Sequence, residues 1–330
     1  MSKIIIAIHG LGNKPPKEQL EKWWLAAIQE GLQKSGIADP DLSFKLVYWA
    51  DILYPEPLEA DVTDEDNPLY LDEPYLPASG NLKAEPENLK TRLLKYAEKQ
   101  LDKIFLKEDM TLNFEGVTDS IIHSYFRELD IYYRGDETEN EQEKSFQSRN
   151  TIRERLKSVL LEHKKDEVIL LCHSMGTIVA YEVLQDNPDE LSINTLVTFG
   201  SPLGLPVVVS RIYADQKLNS GSEEPLKTPV NVHSKWFNLA DPQDMVALDP
   251  TLADDYQANA LGVQAQDLSV INDYEANDER NPHKSFGYLR TVEMANIIRT
   301  FLAEEEKHGL PKYYSQIKHK LVNLFSRRKK

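Results

Sequence analysis

Residues 167–177 read EVILLCHSMGT, and this stretch decides the fold. Residues 167–172 form a short apolar run, which is typical of a strand buried on both faces of a parallel sheet. Ser174 follows two residues later, and a helical pattern begins directly after it. A strand that turns this sharply into a helix lifts a serine hydroxyl above the sheet and points the helix N-terminus at it. The pattern is C-x-S-x-G, with Cys172 in place of the first glycine of the usual G-x-S-x-G.

The rest of the chain alternates between strand and helix patterns around this junction. Strands are predicted at residues 3–8, 44–49, 167–172, 195–199, 235–240 and 267–271, and helices at 17–34, 151–164, 175–185 and 285–302. This alternation predicts an α/β fold, with a mostly parallel central sheet flanked by helices.

Residues 51–150 interrupt the alternation. Their first third is acidic and rich in proline and tyrosine, and helical spacing returns only in parts of the remainder. We predict that these residues form a partly helical, cap-like insertion in a hydrolase domain of residues 1–311, with a mobile loop at 135–147. Insertions of this kind exclude water from an active site.

Composition excludes several classes of protein. The net charge of −16 argues against a nucleic-acid partner, because phosphate binding depends on Lys and Arg. The single cysteine, Cys172, excludes an intramolecular disulfide and a multi-cysteine zinc site. No apolar stretch approaches the roughly 20 residues that a membrane span needs, and the N-terminal apolar run is too short for a secretory signal. We therefore expect a cytoplasmic protein.

Residues 312–330 differ from the rest of the chain in charge. They contain seven Lys and Arg residues and no Asp or Glu, and their apolar residues recur at helical spacing. We predict a basic amphipathic tail. Two interpretations stay open: a weak peripheral contact with an anionic membrane surface, or packing on the domain with the charges solvated.

Serine is a weak nucleophile, so it requires a base, and the base requires an orienting carboxylate. Where a serine follows a strand in this way, the acid and then the histidine come later in the chain, each after a further strand. Asp241 and Asp244 lie just past the predicted strand at 235–240, and His283 directly precedes the last helix. We prefer Asp244, since the valine that follows in D-M-V can return the chain to the core, and keep Asp241 as the alternative acid.

Each of these residues also has an ordinary structural interpretation. Ser174 would then cap a helix, His283 would be a surface-loop histidine, and the unused aspartate would stabilise a turn. His233 competes with His283 for the role of base, but it precedes the strand that carries the acid.

Attack on an ester carbonyl creates an oxyanion, which needs backbone N–H donors. One predicted donor is the N–H of Met175, the residue after the serine. The other is expected in the loop after the first strand, with the N–H of Leu11 as the preferred donor. This loop reads HGLG and consists of His9, Gly10, Leu11 and Gly12.

With these motifs, the chain resembles the α/β-hydrolase superfamily, and within it the lipase-like serine esterases that carry HGLG near the N-terminus and HSMGT at the nucleophile. The segments TFGSPLGLP at 198–206 and HKSFGYL at 283–289 extend the resemblance over roughly residues 1–50 and 151–304. The resemblance implies a domain that lacks the superfamily's first antiparallel strands, and ester hydrolysis without a metal or organic cofactor. It does not identify the substrate, because many chemistries share this scaffold.

The sequence therefore predicts a serine hydrolase that cleaves small-molecule or lipid carboxylic esters through an acyl-enzyme. A phospholipase or lipid deacylase that acts at a membrane surface is the alternative on the same fold. The alternative of another class is a catalytically silent binding protein, against which the intact set of serine, acid, histidine and oxyanion loop argues. The sequence leaves the oligomeric state open.

Overall fold

A parallel sheet of six strands forms the centre of the protein. The computed structural model describes residues 2–37, 41–80, 129, 132–133, 139–221 and 223–303. Its strands are β1 (Lys3–Ile8), β2 (Phe44–Val47), β3 (Glu167–His173), β4 (Ile193–Phe199), β5 (Val232–Ala240) and β6 (Ala265–Ser269). They lie in the order β2-β1-β3-β4-β5-β6, and every neighbouring pair is parallel. The predicted parallel α/β architecture is confirmed.

Helices cover both faces of this sheet. They are α1 (Lys17–Lys34), α2 (Ala50–Leu53), α3 (Glu139–Glu162), α4 (Met175–Asp186), α5 (Pro206–Ser220), α6 (Leu252–Asp255), α7 (Ser285–Leu289) and α8 (Val292–Ala303). Alternate strand residues point to opposite faces. In β1, Ile6 and Ile8 join the apolar cluster beneath α3 to α6, whereas Ile5 and Ala7 join the cluster beneath α1, α7 and α8. Burial on both faces explains the uninterrupted apolar strands of the sequence.

The sheet topology determines where a site can form. Because the strands are parallel, their carboxyl ends lie along one edge, and the loops after β1, β3 and β5 begin there. The loop after β6 contains a short antiparallel ribbon, β7 (Glu275–Ala276) and β8 (Glu279–Arg280), before α7 begins. Residues far apart in the sequence are therefore brought to the same edge.

Most strands differ from their predicted bounds by up to three residues, and two predicted elements differ more than that. The loop predicted at 135–147 is helical from Glu139 onward, because polar residues such as Glu, Gln and Lys extend a helix beyond its buried stripe. The single helix predicted at 285–302 is two helices, α7 and α8. They separate at Thr291, whose hydroxyl accepts a hydrogen bond from the Met294 N–H and so starts a new helix.

The predicted insertion at 51–150 is described only in part. Residues 72–78, here called the strap, run past α1 and the loop before α7. The hydroxyl of Tyr274 donates to the carbonyl of Pro74 at 2.6 Å, and the guanidinium of Arg290 donates to the carbonyl of Leu76 at 2.6 Å. The helical spacing predicted in the remainder of the insertion, from Leu94 to Leu129, lies outside the described residues except for Leu129.

The far end of the insertion is fastened to α4. The hydroxyls of Tyr132 and Tyr133 donate to the Glu182 carboxylate at 2.9 and 3.0 Å, and Arg149 pairs with the same carboxylate at 2.8 Å. The predicted basic tail at 312–330 lies outside the described residues. Within the described ranges, no helix combines the length and the apolar character that crossing a membrane requires.

Candidate active site

Ser174 alone forms the turn between β3 and α4. Its backbone has φ 52° and ψ −126°, a region that residues with a Cβ atom rarely adopt. The Ser174 N–H donates to the carbonyl of Phe199 on β4 at 3.2 Å, which ties the turn to the sheet. The serine is 2% exposed. The turn thus places the serine at the carboxyl edge of the sheet, directly before the first residue of α4.

The glycines around Ser174 are required by close packing. A Cβ atom on Gly10 would lie 2.6 Å from the Ser174 Cβ, and one on Gly176 would lie 2.7 Å from the carbonyl oxygen of His9. Both distances are shorter than non-bonded carbon and oxygen atoms tolerate. Cys172 is fully buried in the apolar cluster beneath α4, so its position, unlike these two, accepts a side chain.

The structure brings Ser174, His283 and Asp244 together. The Nε2 atom of His283 lies 3.0 Å from the Ser174 Oγ, and its Nδ1 atom lies 2.9 Å from each carboxylate oxygen of Asp244. These distances are within hydrogen-bonding range. With the Nδ1–H donating to the carboxylate, Nε2 is left to accept a hydrogen bond from the Ser174 hydroxyl.

Two donors beside His283 satisfy the buried Asp244 carboxylate. The N–H of Val246 donates to Oδ1 at 2.9 Å, and the hydroxyl of Tyr288 donates to Oδ2 at 2.7 Å. Burial and the nearby Asp244 charge raise the pKa of Tyr288 well above its usual value, so the hydroxyl keeps its proton. A buried carboxylate without such donors would be strongly unfavourable.

Asp241, the alternative acid, is held away from His283. Its carboxylate pairs with Arg280 and accepts the N–H groups of Gln243 and Asn272, at 2.8 and 2.6 Å. Burial raises the pKa of the Asp241 carboxyl. The structure therefore brings Asp244 to the histidine, and uses Asp241 to bind the start of the loop after β6.

His9 fixes the conformation of the HGLG loop. The N–H of Trp49 donates to Nε2 of His9 at 3.0 Å, so Nδ1 carries the proton and donates to the Gly10 carbonyl at 2.8 Å. Burial, and then the charge of Lys14, lower the pKa of His9 to about 3, which keeps the ring neutral. In a trans peptide the C=O and the next N–H point in opposite directions. The Leu11 N–H is therefore turned away from His9.

The two predicted oxyanion donors are available for a ligand. Leu11 lines the space above Ser174, and Met175 is the first residue of α4. Neither N–H donates a hydrogen bond to another residue in the described part of the chain. Gly12 has φ 82°, which glycine tolerates, and Lys14 contacts the carbonyls of Leu11 and Gly12.

The comparison with known protein families agrees with this architecture. Residues 145–297 match the family model described as PGAP1-like alpha/beta domain. This segment is similar to that family. The match covers just under half of the chain and includes Ser174, Asp244 and His283, but it begins after the HGLG loop and most of the insertion. A search of curated proteins finds no match.

Residues 281–284, here called the His283 loop, are held by side chains from other elements. His173 donates from Nε2 to the His283 carbonyl at 2.8 Å, and Asn272 donates to the carbonyls of Pro282 and Lys284, both at 2.8 Å. Burial, and then the charge of His283, lower the pKa of His173 well below its usual value. Sequence reasoning missed His173 and Asn272, although His173 directly precedes the serine.

A cavity of about 420 Å³ lies above Ser174. This volume is within the range of small-molecule sites. Its apolar wall consists of Leu11, Pro15, Leu20, Trp23, Trp24, Leu58, Leu71, Val246 and Phe286, and its charged residues are Lys14, Asp72, Glu73 and Lys284. Among the residues that the structure describes, no three or more His, Cys, Asp or Glu side chains are grouped closely enough to hold a metal ion.

Proposed function

We propose that this protein is a serine hydrolase that cleaves carboxylic esters through an acyl-enzyme. The proposal rests on one observation above the others, the hydrogen-bonded chain from Asp244 through His283 to Ser174. Its further supports are the strained turn at the serine, the two unused N–H groups and the cavity above them. The similarity of residues 145–297 to a PGAP1-like alpha/beta domain agrees with a hydrolase of the α/β type.

In the first half of the reaction, His283 takes the proton of the Ser174 hydroxyl while Oγ attacks the ester carbonyl carbon. The carbonyl oxygen becomes an oxyanion, and the N–H groups of Leu11 and Met175 stabilise its charge. The protonated His283 then gives its proton to the leaving alcohol as the carbon–oxygen bond breaks. The acyl group stays on Ser174.

In the second half, a water molecule replaces the alcohol. His283 takes its proton, the hydroxyl attacks the acyl-enzyme, and the carboxylic acid leaves as Ser174 regains its proton. Asp244 keeps the imidazole in the tautomer with Nδ1 protonated and stabilises the imidazolium that forms in both halves. The protein's own residues thus supply each proton transfer.

The test uses a fluorophosphonate probe, which labels an activated serine covalently. We expect the wild-type protein to be labelled at Ser174, as peptide mass spectrometry would show, and Ser174→Ala and His283→Ala to lose the labelling. Ser210→Ala, on α5, is the control and should be labelled like the wild type. A wild-type protein that resists the probe would contradict the proposal and favour a silent binding protein.

A lipid ester at a membrane surface is the second candidate substrate. The apolar wall of the cavity, which includes Trp23, Leu58 and Phe286, favours an apolar acyl group. The basic residues at 312–330 would add attraction to anionic lipids. The test compares the full chain with a chain ending at residue 311 for sedimentation with phosphatidylserine-containing vesicles. If the two chains sediment equally, the tail has no part in substrate access.

A further inference from the structure

The strap reaches the His283 loop through the side chain of Glu73. The amide of Asn281 donates from Nδ2 to Oε1 of Glu73 at 2.6 Å, and the ammonium of Lys284 lies 2.8 Å from Oε2. The two partners flank His283 in the chain. A single carboxylate from the insertion therefore binds the loop on both sides of the histidine.

We propose that Glu73 is a positioning residue for His283, acting through Asn281 and Lys284. The inference rests on the proposed function, because it assigns Glu73 a part in orienting the base of that reaction. Glu73 lies in residues 51–150, which the sequence resemblance does not cover.

The Asn281 side chain links Glu73 directly to the backbone of the histidine. Its Oδ1 atom accepts the His283 N–H at 2.9 Å, while its Nδ2 atom donates to Glu73. The orientation of the amide is fixed, since only this orientation satisfies both partners. A change in the position of the carboxylate would thus move the backbone that carries the imidazole.

The charge of Glu73 also matters, because Lys284 is the next residue after His283. The charged and titratable groups around the imidazole are Asp244, Glu73, Lys284, Lys14, His173 and Tyr288. Burial opposes the charge of Glu73, but Lys284 and Asn281 outweigh it and hold the pKa of its carboxyl below the usual value. Glu73 is therefore ionised at neutral pH and cancels the Lys284 charge beside the imidazolium.

The strap is itself well anchored, so it is able to hold the loop. Glu30 on α1 accepts the Tyr75 hydroxyl at 2.8 Å and the Ala78 N–H at 2.9 Å. Together with the bonds from Tyr274 and Arg290, these contacts secure four of the seven strap residues. Glu73 projects from a fixed segment toward the cavity, which it also lines.

The experiment measures the pH dependence of fluorophosphonate inactivation in the full-length protein. In Glu73→Gln, Lys284 is unpaired and its charge disfavours the imidazolium, so the acid limb of the profile should move about half a unit to lower pH. The limiting rate should fall about tenfold, because the Asn281 link is weakened. In Glu73→Gln combined with Lys284→Met, the acid limb should return toward the wild-type position. Glu65→Gln, an exposed glutamate of the same insertion, is the control.

Failure of this inference is distinguishable from failure of the proposed function. If the wild type is labelled and Glu73→Gln has the same acid limb, or only a lower rate, Glu73 is merely structural and the positioning role is overturned. If the wild type resists the probe, the proposed function fails. In that case NMR is used to measure the pH titration of the His283 imidazole, whose signal is identified by its loss in His283→Gln. An unshifted midpoint in Glu73→Gln would overturn the inference there too.

Discussion

The Ser174 turn and the His283 loop lie side by side, with Ser174 Oγ 3.0 Å from His283 Nε2. The two segments are nevertheless held in place in different ways. The turn is a backbone structure: a buried strand ends, a helix begins, and glycines at 10 and 176 make room for the serine. The loop is held by side chains: Asn272 from nearby in the sequence, and His173 and Glu73 from more than 100 residues away. Ser174 is thus positioned by backbone conformation and His283 by side-chain contacts.

This difference predicts two kinds of sensitivity to mutation. Substitutions around the turn should act through steric clashes and should leave the pH dependence of the reaction unchanged. Substitutions around the loop should change the orientation or the electrostatics of His283. The following experiments separate the two, from the largest effect to the smallest.

The largest effect is expected at Asp244, the proposed acid, which contacts His283. Asp244→Asn should lower kcat for a short-chain ester by about 10⁴-fold, because the amide no longer holds His283 in the productive tautomer. Asp241→Asn should retain far more activity, since its carboxylate pairs with Arg280 and does not contact His283. Equal losses in the two variants would show that the assignment of the acid is incorrect.

A smaller loss is expected on the side of the turn. Gly10→Ala places a Cβ within 2.6 Å of the Ser174 Cβ, so the HGLG loop must move, and with it the Leu11 N–H. Loss of one oxyanion donor corresponds to about 10²–10³-fold in kcat. Gly36→Ala is the control, because its Cβ meets nothing within 4 Å and its φ of 69° costs only about 1 kcal/mol of stability. If Gly10→Ala shifted the acid limb of the pH profile of inactivation, the proposed difference between the turn and the loop would be wrong.

Asn272→Ala tests the loop without touching the charged groups. It leaves the carbonyls of Pro282 and Lys284 without their donor, so the free energy of unfolding should fall by about 2 kcal/mol and kcat about tenfold. Asn259 is a matched control: it is also buried, its amide donates to the carbonyls of Pro229 and Val232, and it lies away from the cavity. Asn259→Ala should lower the free energy of unfolding, measured in urea, but leave kcat unchanged. A similar loss of kcat in both variants would refute a specific role for Asn272.

The smallest effect concerns the pH dependence of stability. His9 is buried neutral with its pKa lowered to about 3, whereas an unfolded histidine has its usual pKa of 6.5. Below pH 6.5 the unfolded chain binds a proton that the folded protein does not, so stability falls with decreasing pH by about 1.4 kcal/mol per unit. His9→Asn, compared with the wild type in urea at pH 7.5 and 5.5, should show a smaller decrease. An identical decrease would mean that His9 is not the group responsible.

The same difference explains what the sequence was able to predict. The turn at Ser174 and the helix after it are contiguous in the chain, and the parallel sheet follows from continuous apolar strands. Chain order pointed to His283 and to two candidate acids, Asp241 and Asp244, and the valine in D-M-V favoured Asp244. The contacts of the His283 loop were not predictable, because Glu73 is more than 200 residues from its two partners and Asn272 binds through irregular backbone. The early start of α3 was missed because its first turns carry no apolar stripe.

The reactivity of Cys172 can report on opening of the central sheet. It is the chain's one thiol, it is fully buried in β3 two residues before the serine, and burial raises the pKa of the thiol well above its usual value. A thiol-specific reagent reacts with the thiolate and needs access to the sulfur. The rate at which such a reagent modifies the protein therefore measures how often β3, the strand that leads to Ser174, opens, independently of any substrate.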